Sequence, residues 1–453
     1  MEGCMIARLC LVTLIVTIHC GPVSSNSYLF GRELFGTKTP YLWSRQSSDV
    51  TDLTSVQYNG QQCRAVYVDG LYRHGARYPS LKWVNRMNEL HTLLSGGNGI
   101  DQSVGDWGNA FKADKAAQLS ALGQQEMVVL GERLGSRFQS LLSSEKDRMH
   151  FYSSAKDRAK DSATYFQKGL GNTIGTNLSI PTTIDNLMLR FYESCKLYNK
   201  IMDNEKTFEE YDKFLTGPEM TNVVTNVNNA VLSGHFNLTV DQVRIIQQIC
   251  ACELAFFNTS DWCSYLSLSG LELMDYGGDI KSNIEGGYRH DITAQMSCPL
   301  LKHVLQQMDK VVTAQSDRPV ASFRFGHSET VSPVFTALGL FNESTTFLAT
   351  DFKANANRQY RTSVILPFSA NLVTTMYKCG TEYMVKMMVN EEEVDIPACG
   401  ATICPYTMVK EHYGQFENCE FENICENEGT NTGTISRISG SVMIAIVLLL
   451  FLH

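Results

Sequence analysis

The residues best placed to do chemistry stand together at Arg73-His74-Gly75-Ala76-Arg77-Tyr78-Pro79. Two arginines flank one histidine. A guanidinium fork matches phosphate oxygens two at a time. Neutral imidazole is abundant near neutral pH, so a histidine held between such forks can attack phosphorus in line. Gly75 lets the backbone come close to a ligand. The chemistry indicated is phosphoryl transfer through a covalent histidine. An Arg-His-Arg cluster can also be a plain surface loop, so its flanks must decide.

Upstream, Arg64 to Tyr72 is rich in β-branched and aromatic residues and reads as a buried strand. Downstream, Leu81, Val84, Met87, Leu90 and Leu94 recur at helical spacing. Pro79 suits a first helical turn, where its missing N–H has no partner anyway. The prediction is strand, tight turn, helix. That order puts the cluster at a helix N-terminus, a natural anion site.

Arg-His-Gly-x-Arg-x-Pro after a strand resembles the signature of the histidine acid phosphatases. The resemblance implies His74 as nucleophile, with Arg73 and Arg77 as phosphate ligands. It also implies a second element, a His followed closely by an acid at the end of another strand. Pro319 to Gly326 is strand-like and leads into His327-Ser328-Glu329-Thr330. His327 can donate to the phosphate, and Glu329 can protonate the leaving alkoxide. Many family members have Asp directly after this His. Here Ser328 stands in that place and Glu329 follows. This His-x-Glu form resembles the multiple inositol polyphosphate phosphatase branch. The longer Glu side chain can reach where an Asp one residue nearer would sit. The family also implies an arginine shortly after a short strand. His150 to Ser154 reads as that strand, and Arg158 fits the place. Arg133, Arg137 and Lys156 are competitors that a solvated helix face explains better.

The resemblance covers nearly the whole mature chain and thins in the middle. It includes a helix opening at Leu119 to Gln125. It implies an α/β fold: a core sheet flanked by helices, with a mostly α-helical lobe inserted between the two motifs. The core would comprise 26–170 and 315–425, and the lobe 171–314. The residues give partial support, since Thr207 to Leu232 and Pro299 to Val312 read helical. The site would lie between core and lobe at the carboxyl ends of strands. By resemblance to secreted phytases, Cys63 pairs with Cys379, Cys252 with Cys263, Cys195 with Cys419, and Cys399 with Cys404. Cys250, Cys298 and Cys425 are left over. No cofactor or metal is implied, because arginines supply the positive charge.

The activity implied is phosphomonoester hydrolysis, with inositol polyphosphates as substrates and 2,3-bisphosphoglycerate as a further one. A substrate of that kind needs basic residues beyond the clamp. Lys82 and Lys196 are candidates, and each also reads as a solvated surface lysine. Two other readings remain: a broad acid phosphatase, and a surface binding protein that has lost catalysis. The intact set Arg73, His74, Arg77, Arg158, His327 and Glu329 argues against the second.

Composition bounds the rest. The chain has 453 residues and a hydrophobic fraction of 43%, which suits a folded protein and argues against disorder. A net charge of −9 argues against a nucleic-acid partner. It also means that a polyanion must meet a local basic pocket. No Cys and His residues show zinc-finger spacing. Residues 1–25 read as a signal peptide, with Arg8, the apolar run Leu9 to Ile18, and Val23-Ser24-Ser25. Cys4, Cys10 and Cys20 leave with it. The other eleven of the fourteen cysteines face an oxidising compartment, where disulfides form. Sequons at Asn177, Asn237, Asn258 and Asn342 fit a secreted glycoprotein. Residues 426–453 read as a polar spacer and an apolar tail, Val442 to Leu452. This is the pattern of a lipid-anchor signal, with Asn431 as attachment residue. A short membrane helix is the alternative, and membrane contact is expected only at this end.

Overall fold

A computed structural model describes residues 33–45, 50–95, 102–232, 237–343 and 347–426. The signal peptide, the C-terminal signal and Asn431 lie outside the described residues.

Among the described residues nine strands form one sheet. In chain order they are β1 (Ser55–Tyr58), β2 (Gln61–Arg73), β3 (Met149–Ser153), β4 (Thr182–Ile184), β5 (Ala321–Gly326), β6 (Asn371–Cys379), β7 (Glu382–Val389), β8 (Glu392–Val394) and β9 (Ile403–Pro405). The order across the sheet is β4-β3-β5-β2-β6-β7-β8, with β1 added to β2 and β9 to β7. Strands β4, β3, β5 and β2 run parallel, and β6 turns the sheet antiparallel. Both motifs therefore leave adjacent parallel strands at the same end. Register sets Arg73 beside Gly326 and Ser153 beside Phe325.

Alternation along β2 and β5 divides the core. Val68, Tyr72, Phe323 and Phe325 face helices α2 (Ala121–Arg137) and α3 (Asp157–Ile174), where they meet Met127, Leu130, Phe166 and Leu170. Tyr72 lies between Phe166 and Phe325, at ring separations of 4.7 and 5.3 Å. Tyr67, Asp69, Leu71 and Arg324 face the other way, towards the helix Cys298–Val312. Helix α1 (Leu81–Ser95) follows the first motif and buries Val84, Met87, Leu90 and Leu94. Pro79 lies before this helix rather than in its first turn. The carbonyl of Ser80 takes the first helical N–H groups, from Trp83 and Val84.

The described residues between 186 and 312 are mostly helical. They include α4 (Val240–Phe257), α5 (Leu268–Gly286) and α6 (Cys298–Val312). Two elements of the 171–314 stretch join the sheet. β4 extends the core sheet, and α6 packs on β2. α7 (Ser328–Ala337) follows β5.

The structure joins Cys63 to Cys379 and Cys399 to Cys404. Two expected pairings are corrected. Cys263 bonds Cys250, and Cys252 is a buried free thiol. Two residues apart on a helix point to opposite sides, so only one of them can face the turn carrying Cys263. Cys195 bonds Cys425, and Cys298 bonds Cys419. Cys195 precedes a helix that packs on the C-terminal helix Phe421–Glu426, whose Cys425 meets it. Cys419 instead ends the turn that packs on α6, which begins at Cys298.

One buried ion pair ties the two motif strands together. Arg324, fully buried on β5, donates to Asp69 Oδ1 on β2 at 2.6 Å and to His303 Nδ1 at 2.8 Å. Tyr67 donates to the other Asp69 oxygen at 2.5 Å. Burial and Arg324 pull His303 down to about 3, which keeps it a neutral acceptor. Removing one partner strands the other charge in the core. Arg324→Met should therefore cost about 3–5 kcal/mol of stability, read from the urea midpoint and slope. A loss below about 1 kcal/mol would show that the pair does not hold these strands.

Candidate active site

Both motif ends and the end of β3 converge on one cleft between the sheet and helices α4 and α5. It encloses about 310 Å³ and is lined by Lys38, Arg73, His74, Arg77, Arg158 and Glu329, among others. That size falls at the low end of the roughly 300–1,000 Å³ of small-molecule sites.

The His74 turn is fixed by its backbone. His74 N–H donates to Gly326 O at 3.0 Å, continuing the β2–β5 ladder. Gly75 N–H donates to Ser162 Oγ at 3.1 Å, and Ala76 N–H to Glu126 Oε2 at 2.8 Å. Fully buried Glu126 also accepts from Tyr41 N–H and the Ser369 hydroxyl. Ser120 caps α2 and donates to Ala76 O at 2.7 Å. This brings α2 so close that a Cβ on Gly75 would strike the Gly123 carbonyl. Glycine is needed here for space. The His74 turn thus rests on the start of α2, and α1 begins only at Leu81, further along the chain.

His74 is buried. Its Nδ1 lies 2.9 Å from Gly75 O. A carbonyl only accepts, so Nδ1 carries the proton and Nε2 keeps its lone pair. Burial, then Arg73, His327, Arg158 and Arg77, push this imidazole well below its ordinary range. It is a neutral base, the state a nucleophile requires.

The cations form a shell around it. Arg73 NH1 donates to Thr37 O at 2.7 Å and Leu366 O at 2.8 Å, and its guanidinium lies over Phe368 at 4.6 Å. Arg77 NH1 donates to Tyr78 O. Arg158, on the first turn of α3, donates to His327 Nδ1 at 3.3 Å. The Nε groups of all three arginines are buried without a hydrogen-bond partner. Among the described residues no carboxylate comes within ion-pair distance of Arg73, Arg77, Arg158 or Lys38. A buried Arg73 beside half-buried cations, without carboxylate partners and with donors to spare, makes a site for an oxyanion.

His327 ends β5, and its ring centroid is 5.4 Å from that of His74. Its Nε2 lies 2.9 Å from the buried Ser154 hydroxyl. Burial and Arg158 hold it down, which makes it neutral. Glu329, in the first turn of α7, opens onto the cleft. Its carboxyl is exposed to the cleft, and although the surrounding walls raise it, the His327 ring, its own N–H, the Ser328 hydroxyl at 2.9 Å and Arg73 outweigh this and hold it low.

The cleft gathers Arg73, His74, Arg77, Arg158 and Glu329, and His327 lies against Arg158. Two substrate candidates fall elsewhere. Lys82 is exposed on α1 away from the cleft, and Lys196 is ion-paired with Glu426. Arg133 and Arg137 are not solvated as expected, since both clasp Glu391. Sequence reading missed Lys38, Glu126, Ser154 and Ser162. Ser154 could have been found as the last residue of a predicted strand. Lys38 gives no local signal. Other basic residues of the wall are Arg244 and Lys281, each paired with a neighbouring carboxylate, Asp241 and Glu285.

The chain belongs to the histidine phosphatase superfamily (branch 2), whose family model matches residues 66–390. It is 30% identical over 391 residues to multiple inositol polyphosphate phosphatase 1 of Gallus gallus, covering 83% of this chain and 87% of that protein. Its fold is similar to that of the phytase from D. castellii, with a TM-score of 0.72, 18% identity and 88% of each chain covered. It is similar also to the Bifidobacterium longum multiple inositol polyphosphate phosphatase in complex with inositol hexasulfate. There the TM-score is 0.68 and identity 17%, over 86% of this chain and 99% of that one.

The neutral, Nδ1-protonated state of His74 can be tested directly. Histidine-selective nitrogen NMR, with His74→Ala assigning the signal, should show this tautomer unchanged from pH 7 down to about pH 5. The sign follows from the lowered basicity: an unperturbed imidazole would gain a proton through about pH 6.5, and this one resists until more acid conditions. Titration near 6.5 would overturn the assignment.

Proposed function

We propose that this protein removes phosphates from inositol polyphosphates through a phosphohistidine formed at His74. The carrying observation is the shell of unpaired cations around a neutral imidazole with a free Nε2. Arg73, Arg77, Arg158 and His327 hold the phosphate and stabilise charge on its equatorial oxygens. The Ser154 hydroxyl can accept from His327 Nε2 or donate to it. His327 can therefore turn its Nδ1 into a donor when a phosphate oxygen arrives.

His74 Nε2 attacks phosphorus, and the bond to the inositol oxygen breaks. Glu329 gives that oxygen its proton. Water then attacks phosphorus, Glu329 takes the water's proton, and the N–P bond breaks to release phosphate. A low carboxyl is a poor donor, but a phosphate dianion beside it raises its proton affinity. Substrate binding thus prepares the acid.

The choice of inositol polyphosphates is supported by the His-x-Glu arrangement, by the named relatives, and by Lys38, Arg244 and Lys281 in the wall beyond the clamp. A phosphate-dense substrate such as 2,3-bisphosphoglycerate fits the same chemistry. Five disulfides support an extracytoplasmic location. The asparagines of all four sequons are exposed, as glycosylation requires. No helix among the described residues is long and apolar enough to cross a membrane. Attachment through the C-terminal segment at Asn431 is part of the same proposal.

The test is phosphate release from inositol hexakisphosphate, 2,3-bisphosphoglycerate and an aryl phosphate offered together. Preference for the inositol phosphate, abolished in His74→Ala, is expected. Preference for the aryl ester would make the protein a broad acid phosphatase, and no release from any would make it a binding protein. Glu329→Gln separates the acid from the clamp. It should slow the inositol phosphate about 10²–10⁴-fold and the aryl phosphate, whose leaving group needs no proton, far less. Equal slowing of both would assign Glu329 to phosphate binding.

A further inference from the structure

Lys38 lies 35 residues before Arg73, in a short turn, Gly36–Lys38, that the site holds in place. Arg73 donates to Thr37 O, and Phe368 N–H donates to Thr39 O at 2.9 Å. The Lys38 side chain enters the cleft. It also lines a small hollow behind the clamp with Arg77, Trp83, Gln248 and Cys252. Its ammonium makes one long hydrogen bond, 3.4 Å to Thr37 Oγ1, and no ion pair among the described residues.

The groups facing it are Arg77, Arg73, Glu329 and the Cys252 thiol. Burial, then Arg77 and Arg73, pull the amine down to about 7, against a smaller lift from Glu329 and Cys252. A lysine beside two arginines works against the fold unless an anion joins them. The three arginines already surround His74. Lys38 shares the small hollow with Arg77 and not with Arg158, so it sits on the Arg77 side of the clamp, where a neighbouring phosphate of the same substrate would fall.

Resting on the phosphatase reading above, we propose that Lys38 binds a second phosphate of the substrate, beside the one attacked. A monophosphate has nothing to offer it. Lys38 would then separate polyphosphates from simple esters.

Calorimetry on the intact protein tests this without turnover, using inositol hexasulfate and inorganic phosphate as probes. Lys38→Met should weaken hexasulfate roughly ten-fold, the scale of one charge-assisted contact, and inorganic phosphate much less. Near pH 7, in buffers of different ionisation enthalpy, the wild-type protein should take up about half a proton more than the variant on binding hexasulfate. Lys38→Arg should keep the affinity and lose the proton uptake. Equal weakening of both probes in Lys38→Met would overturn the proposal. If the wild-type protein releases no phosphate from inositol hexakisphosphate, the proposed activity fails, and the calorimetry still decides the role of Lys38.

Discussion

Mutual repulsion among Arg73, Arg77, Arg158 and Lys38 is the constraint that the surrounding structure answers. None has a carboxylate within ion-pair distance among the described residues, Arg73 is buried, and the other three are half-buried. Such a group of charges stays together only if the backbone beneath it cannot relax. The parallel ladder of β3, β5 and β2 provides one such restraint, because each strand delivers part of the site at the same level. The buried Arg324–Asp69 pair provides another, below the site, where a slip of β5 against β2 would break it. Glu126 provides a third, collecting Ala76, Tyr41 and Ser369 on one carboxylate. Burial raises that carboxyl, while its three donors and Arg73 favour the charged form.

Burial and then the same cations set the protonation of the histidines. The arginines that would bind phosphate thus add to burial in keeping the attacking nitrogen of His74 unprotonated. Binding and activation then share an electrostatic source. Glu329 shows the converse, since a carboxylate facing these charges stays ionised until an incoming anion offsets them. The same positive environment thus lowers the proton affinity of both His74 and Glu329, which serves the nucleophile at once and the acid only after an anion has bound.

Much of this was legible in the chain. Arg73 to Pro79 carries its chemistry in seven consecutive residues, and the strand before it is unmistakable by composition. His327 and Glu329 were legible only once the first motif gave them a partner. What was not legible depends on tertiary placement. Lys38 looks like any lysine near an N-terminus, and the bond from Arg73 to Thr37 brings it to the site. Lys82 looked suitable by proximity in sequence, but helix α1 turns it to solvent. The cysteine pairing was misread at Cys250 and Cys252 because spacing does not say which face of a helix meets the turn at Cys263. Arg133 and Arg137 read as solvated, yet Glu391, in the turn after β7 and more than 250 residues on, claims both.

The wall of the cleft divides into two electrostatic zones, and the division bears on what a polyanion gains there. Among the described residues, Lys38 and the clamp arginines have no carboxylate to give up, so a phosphate reaching them relieves repulsion outright. Arg244 and Lys281 are already paired, with Asp241 at 2.8 Å and Glu285 at 3.0 Å. A phosphate at either must displace or share a carboxylate, an exchange of one partner for another with small net gain. Affinity is therefore concentrated near His74, and the outer wall adds mainly orientation. A protein of net charge −9 can hold a highly charged anion on these terms, because the attraction is confined to the one place where chemistry can follow.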